Sequence, residues 1–110
     1  GLDALLNQPN PPTAVFAMSD EMAFGAIRAL RARGLEPGRD VSIIGIDDHP
    51  MSSYLGLTTI AQPVADLGKK AGECLLEQLA GSESRSGNDQ VAQLPTELIV
   101  RSSTGAKGFA

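Results

Sequence analysis

TAVFAMSDEMAFGAIRALRARGLEPGRDVSIIGIDD, residues 13–48, decides the fold. Ala14–Met18 is a continuous apolar run too short for a helix and suited to a strand buried on both faces, as in parallel sheets. From Ser19 the pattern changes period. Ser19 or Asp20 can cap a helix by accepting from its free amides, and Asp20 and Glu21 complement its positive end. Ala23, Ile27 and Leu30 form one stripe, flanked by Phe24 and Ala26, and Arg28, Arg31 and Arg33 gather at the negative end before Gly34, a left-handed cap. Past the turn at Glu36–Arg39, Val41–Ile46 reads as a second buried strand, stopped by Asp47-Asp48-His49-Pro50.

Strand, helix, strand in this compass is a βαβ unit, so both strands run parallel and their carboxyl ends open on one edge of the sheet. Ser19 and Asp20 then stand beside Asp47 and Asp48, at the edge where open α/β sheets hold their ligands. Three readings of Asp47 compete: acceptor of a sugar's vicinal hydroxyls, metal or acid/base carboxylate, and a cap on the turn before Pro50. Recognition of a polyhydroxylated ligand is the leading one. Asp48 points the other way along the strand and reads as structural, and His49 as a surface or capping side chain.

The rest continues the alternation. Leu2, Leu5 and Leu6 line the last turns of a helix ended by Pro9, Pro11 and Pro12; Leu57–Ala61 is a strand candidate; Gln62-Pro63 is a break. A helix from Asp66 carries a stripe of Leu67, Ala71, Cys74, Leu75 and Leu79, with Gly68 and Gly72 as markers of close backbone approach. Gly81–Gln90 has no apolar side chain and reads as a solvated loop, and a last strand near Glu97–Arg101 precedes a Ser/Thr/Gly tail. The expected fold is α/β, a parallel open sheet flanked by helices.

Composition narrows the function. At 110 residues there is room for one small domain, and 9 Lys+Arg against 13 Asp+Glu, a net charge of −4, disfavour direct contact with nucleic acid. Cys74 is the single cysteine, so no internal disulfide forms, and neither a zinc spacing, a phosphate loop nor a nucleophile elbow is present. No cofactor, metal site or catalytic residue is expected, and no run is long enough to span a membrane. A reducing cytoplasm is the expected home. The first residue is Gly1 rather than Met, which suggests a fragment.

Four ordered blocks, PTAVFAMSDEMAFGAIRALRARGL, GRDVSIIGIDD, LTTIAQPVADLGKKAGECLLEQL and LPTELIVRSST, resemble the C-terminal part of the LacI/GalR family of bacterial transcription regulators. The resemblance implies part of a two-lobed effector domain of the periplasmic-binding-protein type. Its partners would be a small effector, usually a sugar, a second copy of the chain, and operator DNA held by a head outside this sequence. Asp47 matches the family carboxylate that accepts from ligand hydroxyls, Ser19 a cleft position that is often Asn or Ser, and Gln62 the point where the chain crosses between lobes; Asp20 joins them by the carboxyl-edge argument. The helix from Asp20 to Arg33 and the loop Pro50–Leu55 resemble segments of a homodimer interface, with Met22, Ala23, Ala26, Met51 and Tyr54 as contacts. That loop is shorter than in members with Pro-Pro before Leu-Thr-Thr, and the family's effector-binding arginine and stacking aromatics fall upstream of Gly1. The helix around Leu67–Leu79 would belong to the other lobe, so its apolar stripe is expected to lack a covering surface, each such Leu forgoing about 1.5–3 kcal/mol. A periplasmic sugar-binding protein for transport is the alternative.

Overall fold

The computed structural model describes residues 1–81 and 91–106. They form two compact units, residues 1–62 with 97–106, and residues 63–81 with 91–96. The loop expected over Gly81–Gln90 falls, but for Gly81, outside the described residues.

The first unit is a four-stranded sheet of β1 (Ala14–Phe16), β2 (Ser42–Ile46), β3 (Thr58–Ala61) and β4 (Glu97–Ile99), in that spatial order. β1 and β2 are parallel, with Val15 beside Ile43, and β2 and β3 are parallel, with Gly45 beside Thr59. β4 corrects the all-parallel expectation, because it pairs antiparallel to β3, Ile60 facing Leu98. The segment between β3 and β4 belongs to the other unit, and the chain re-enters this one running the opposite way.

α1 (Leu2–Leu6) precedes the sheet, and α2 (Asp20–Ala32) joins β1 to β2 as the helical period requires. Ala23, Ile27 and Leu30 of α2 are buried with Ala17, Val41, Ile43 and Leu57, a small aliphatic core. Gly34 takes φ of 71° just past the helix, and the Leu35 amide reaches back to the Leu30 carbonyl, the left-handed close expected of it. Arg33 ties α1 to the end of α2 through Asp3 Oδ1 at 2.9 Å and Asn7 Oδ1 at 3.1 Å.

Two further expectations change. β1 is not buried on both faces: it is an edge strand, and Phe16 and the following Met18 are exposed. The run Pro50–Leu55 is not a plain loop, because Pro50–Tyr54 forms a short helix, α3, whose cap is His49: its Nδ1 accepts from the Met51 amide at 3.0 Å. Pro at the first helical position loses nothing there, since that amide has no partner within the helix.

The Ser/Thr tail, read as mere tail, is structural. Ser103 is buried; its Oγ donates to the Ile43 carbonyl at 2.6 Å and accepts from the Thr58 amide at 2.8 Å, and its carbonyl accepts from the Ile43 amide at 2.7 Å. One side chain thus joins β2 to β3 where their ladder begins.

The second unit is α4 (Val64–Leu79) with its flanking residues and residues 91–96, which form no regular element. No residue of α4 is buried. Leu67, Leu75 and Leu79 are exposed, Cys74 is intermediate, and a Cβ added at Gly68 or Gly72 would meet nothing within 4 Å among the described residues. Among the described residues, then, nothing buries the stripe, and the close approach marked by the glycines is not made.

Replacing Ser103 by Ala strands a buried amide and leaves a buried carbonyl one bond short, each costing about 1–3 kcal/mol at most. Ser103→Ala is expected to lower stability by about 2 kcal/mol in urea unfolding, whereas the neighbouring exposed Ser102→Ala should leave the midpoint unchanged.

Candidate functional site

The carboxyl ends of β1, β2 and β3 define a rim, and the sequence-expected residues gather there in two layers. Asp20, the first residue of α2, has no exposed surface. Its Oδ1 accepts from Thr59 Oγ1 at 2.6 Å; its Oδ2 accepts from Ser52 Oγ at 2.6 Å and from the His49 amide at 2.9 Å. Three donors compensate a carboxylate whose burial unpaired would be prohibitive. Gly45, in the middle of β2, makes room for it: a Cβ there would collide with Asp20 Oδ1. Asp20 is thereby corrected from a ligand contact to an internal anchor, since a side chain without accessible surface touches no ligand.

Above this layer the backbone turns sharply. Asp47 has φ of 120° and Asp48 φ of 51°. Both lie in the left-handed region, where non-glycine residues cost on the order of 1–3 kcal/mol each and persist only when surrounding contacts over-determine them. Those contacts are present. The Asp47 amide donates to the Ile60 carbonyl at 2.9 Å, the Asp48 amide to Thr59 Oγ1 at 3.3 Å, and the His49 amide to Asp20. The Asp48 side chain is held by Arg101, whose guanidinium reaches Asp48 Oδ1 at 2.9 Å and the Leu57 carbonyl at 2.8 Å. That pair is partly buried, which fits the structural reading of Asp48.

Asp47 itself is exposed, at the outer layer. Gln62 Nε2 donates to Asp47 Oδ1 at 2.8 Å, so the residue at the end of β2 and the one following β3 meet. Among the described residues no donor reaches Asp47 Oδ2. Ser19 is half-buried, and its Oγ accepts from the Met22 amide at 3.3 Å, the expected cap. Among the described residues no group of three or more His, Cys, Asp or Glu side chains is placed to hold a metal ion. An apolar groove of about 730 Å³ lies between α1, β1 and α2, but neither Asp47, Ser19 nor Gln62 lines it.

The expected dimer residues divide. Met22, Met51 and Tyr54 are exposed, Tyr54 by 83%. Ala23 and Ala26 are corrected: both are buried in the core formed by α2 and the sheet, Ala23 with no exposed surface, because they occupy its inward stripe. Reading along the chain missed Thr59, Ser52, Arg101 and Ser103. Two signals bore on Thr59: two threonines inside the apolar run LTTIA, and a glycine inside the neighbouring run VSIIGI, the mark of a close approach in a strand.

Parallel β1, β2 and β3 with an acidic pair at their carboxyl ends make an α/β lobe, of the class that holds ligands at that edge. Residues 1–104 match the periplasmic binding protein-like domain family, to which the chain belongs. Its relatives are LacI-type regulators. The chain is 42% identical over 107 residues to the HTH-type transcriptional repressor CytR of Escherichia coli, covering 96% of this chain and 30% of that protein. Among solved structures, a LacI family transcriptional regulator from Enterococcus faecium with bound ribose superposes with a TM-score of 0.78 at 37% identity, over 94% of this chain and 38% of that one. A lac repressor dimer bound to operator and the anti-inducer ONPF gives 0.79 at 36% identity, over 94% of this chain and 35% of that one. The chain thus spans about a third of the length of the relatives it matches. No helix among the described residues is long and apolar enough to cross a membrane.

Removing the cap isolates one contribution at this rim. Ser19→Ala is expected to cost about 1 kcal/mol, the usual value of an N-cap hydroxyl, seen as a lower urea midpoint at unchanged slope. An unchanged midpoint would mean that the Met22 amide finds water as readily as Ser19.

Proposed function

We propose that this chain is the C-terminal share of the effector-binding domain of a LacI-type transcriptional repressor, and that Asp47 is its contact to a small polyhydroxylated effector, a sugar or sugar derivative. The observation that carries the reading is the pairing of an exposed carboxylate with Gln62 on the carboxyl rim. One carboxylate oxygen is taken by the amide, and the other points its acceptor capacity outward, the chemistry that a sugar hydroxyl requires. Ser19 borders the same rim. The ribose held by the Enterococcus relative and the operator and dimer of the lac repressor support the same assignment of partners.

In this reading the protein acts in the cytoplasm and performs no catalysis. A head outside this sequence holds operator DNA, and Met22, Met51 and Tyr54 contribute to a contact with a second copy. The effector works by population shift: it binds two arrangements of the lobes unequally, and operator affinity changes by the ratio. A transport role is the weaker reading, because the matched proteins named above are transcription regulators.

The test uses the full-length protein. Calorimetry against a panel of pentoses, hexoses and nucleosides should find one binder, and that binder should change operator affinity by roughly 5- to 150-fold. Asp47→Ala should weaken it by about 10- to 100-fold, the worth of a hydrogen bond to a charged group, with the thermal midpoint preserved. Undiminished affinity in Asp47→Ala would remove Asp47 from the site.

A further inference from the structure

We propose that Thr59 is a positioning residue for the effector site: its buried hydroxyl, placed between the Asp20 carboxylate and the Asp48 amide, holds the turn that presents Asp47. This rests on the reading of Asp47 as the effector contact.

Thr59 sits in β3 directly beside Gly45 of β2, with no exposed surface. Asp20 Oδ1 enters the space that a Cβ at Gly45 would take, and the Thr59 hydroxyl meets it there. The hydroxyl proton is committed to Asp20 Oδ1 at 2.6 Å, so a lone pair is directed at the Asp48 amide, 3.3 Å away. Asp20 passes the restraint on, accepting from the His49 amide with its other oxygen. Two successive amides, of Asp48 and His49, are thus fixed by one Thr–Asp pair immediately after the residue with φ of 120°. Without that pair, only the Ile60 carbonyl and Gln62 hold Asp47, and Arg101 alone holds Asp48 among the described residues. A left-handed Asp-Asp pair released on one side relaxes toward the ordinary β region, which turns the Asp47 carboxylate away from the rim.

Asp20 is a poor probe, because its removal also strips Ser52 and the start of α2. Thr59→Val keeps the shape but puts a methyl in place of the hydroxyl, and Thr59→Ser keeps the hydroxyl. The experiment compares these two with wild type and Asp47→Ala in the full-length protein, by residue-resolved amide exchange and by calorimetry with D-ribose and the pentose, hexose and nucleoside panel. Expected for Thr59→Val is exchange at the Asp48 and His49 amides faster by about tenfold or more, relative to the Ile27 and Ile43 amides of the core. Expected also is at least about tenfold weaker binding of the sugar that wild type binds, with Thr59→Ser close to wild type on both counts.

A merely structural Thr59 would raise exchange uniformly across the core and leave the affinity of the folded protein intact; either result overturns the proposal. Asp47→Ala separates the two layers of the argument. If it loses the sugar while Thr59→Val keeps it, positioning by Thr59 is wrong and the Asp47 reading stands. If Asp47→Ala binds as wild type, the Asp47 reading fails and the proposal with it, whatever the exchange data show.

Discussion

A single buried carboxylate joins the parts of this fold that meet at the carboxyl edge of its parallel strands. Asp20 opens α2, yet its partners come from the cap of α3, from α3 itself and from β3: the His49 amide, Ser52 and Thr59. Each partner is a donor, which an acceptor-only group requires, and the gap it fills exists because Gly45 lacks a Cβ. In a small lobe whose core is a few aliphatic side chains, such a network supplies what packing does not: it specifies one arrangement of α2, α3 and β3 rather than several of similar energy.

The consequence is a division of labour between adjacent acidic residues. Asp20 is internal and structural, Asp48 is half-buried and paired with Arg101, and Asp47 is exposed with one oxygen free of donors among the described residues. The sequence places them within 29 positions, and only burial tells them apart. The strain of the Asp47-Asp48 turn is tolerable because ladder, hydroxyl and guanidinium contacts restrain it from below. An exposed acceptor on a rigid support is also what a ligand site needs, since ordering of the site has already occurred before the ligand arrives.

Much of this was legible in the chain. The periods of 13–48, the Ser19 cap and the Gly34 close define the β1–α2–β2 unit, and connectivity alone brings Ser19, Asp20, Asp47 and Asp48 to one edge. What escaped was of two kinds. Which of the gathered oxygens face inward depends on Gly45 and Thr59 being neighbours in register, a fact of strand pairing and not of either strand's pattern. The tail hydroxyl of Ser103 and the guanidinium of Arg101 act across more than 40 residues, and a Ser/Thr stretch looks the same whether solvated or enclosed. The burial expected for β1 failed for a related reason: apolar composition states that a strand can be covered, not that it lies inside a sheet rather than at its edge. The antiparallel return of β4 likewise has no local signature.

The most direct test of the division of labour is a crystal structure of the full-length protein grown with the sugar proposed as its effector, D-ribose being the first ligand tried. The account predicts a sugar hydroxyl within hydrogen-bond distance of Asp47, near Ser19 and Gln62, while Asp20 keeps Thr59, Ser52 and the His49 amide and makes no contact with the ligand. A sugar bound away from Asp47, or one that reaches the Asp20 carboxylate, would contradict it.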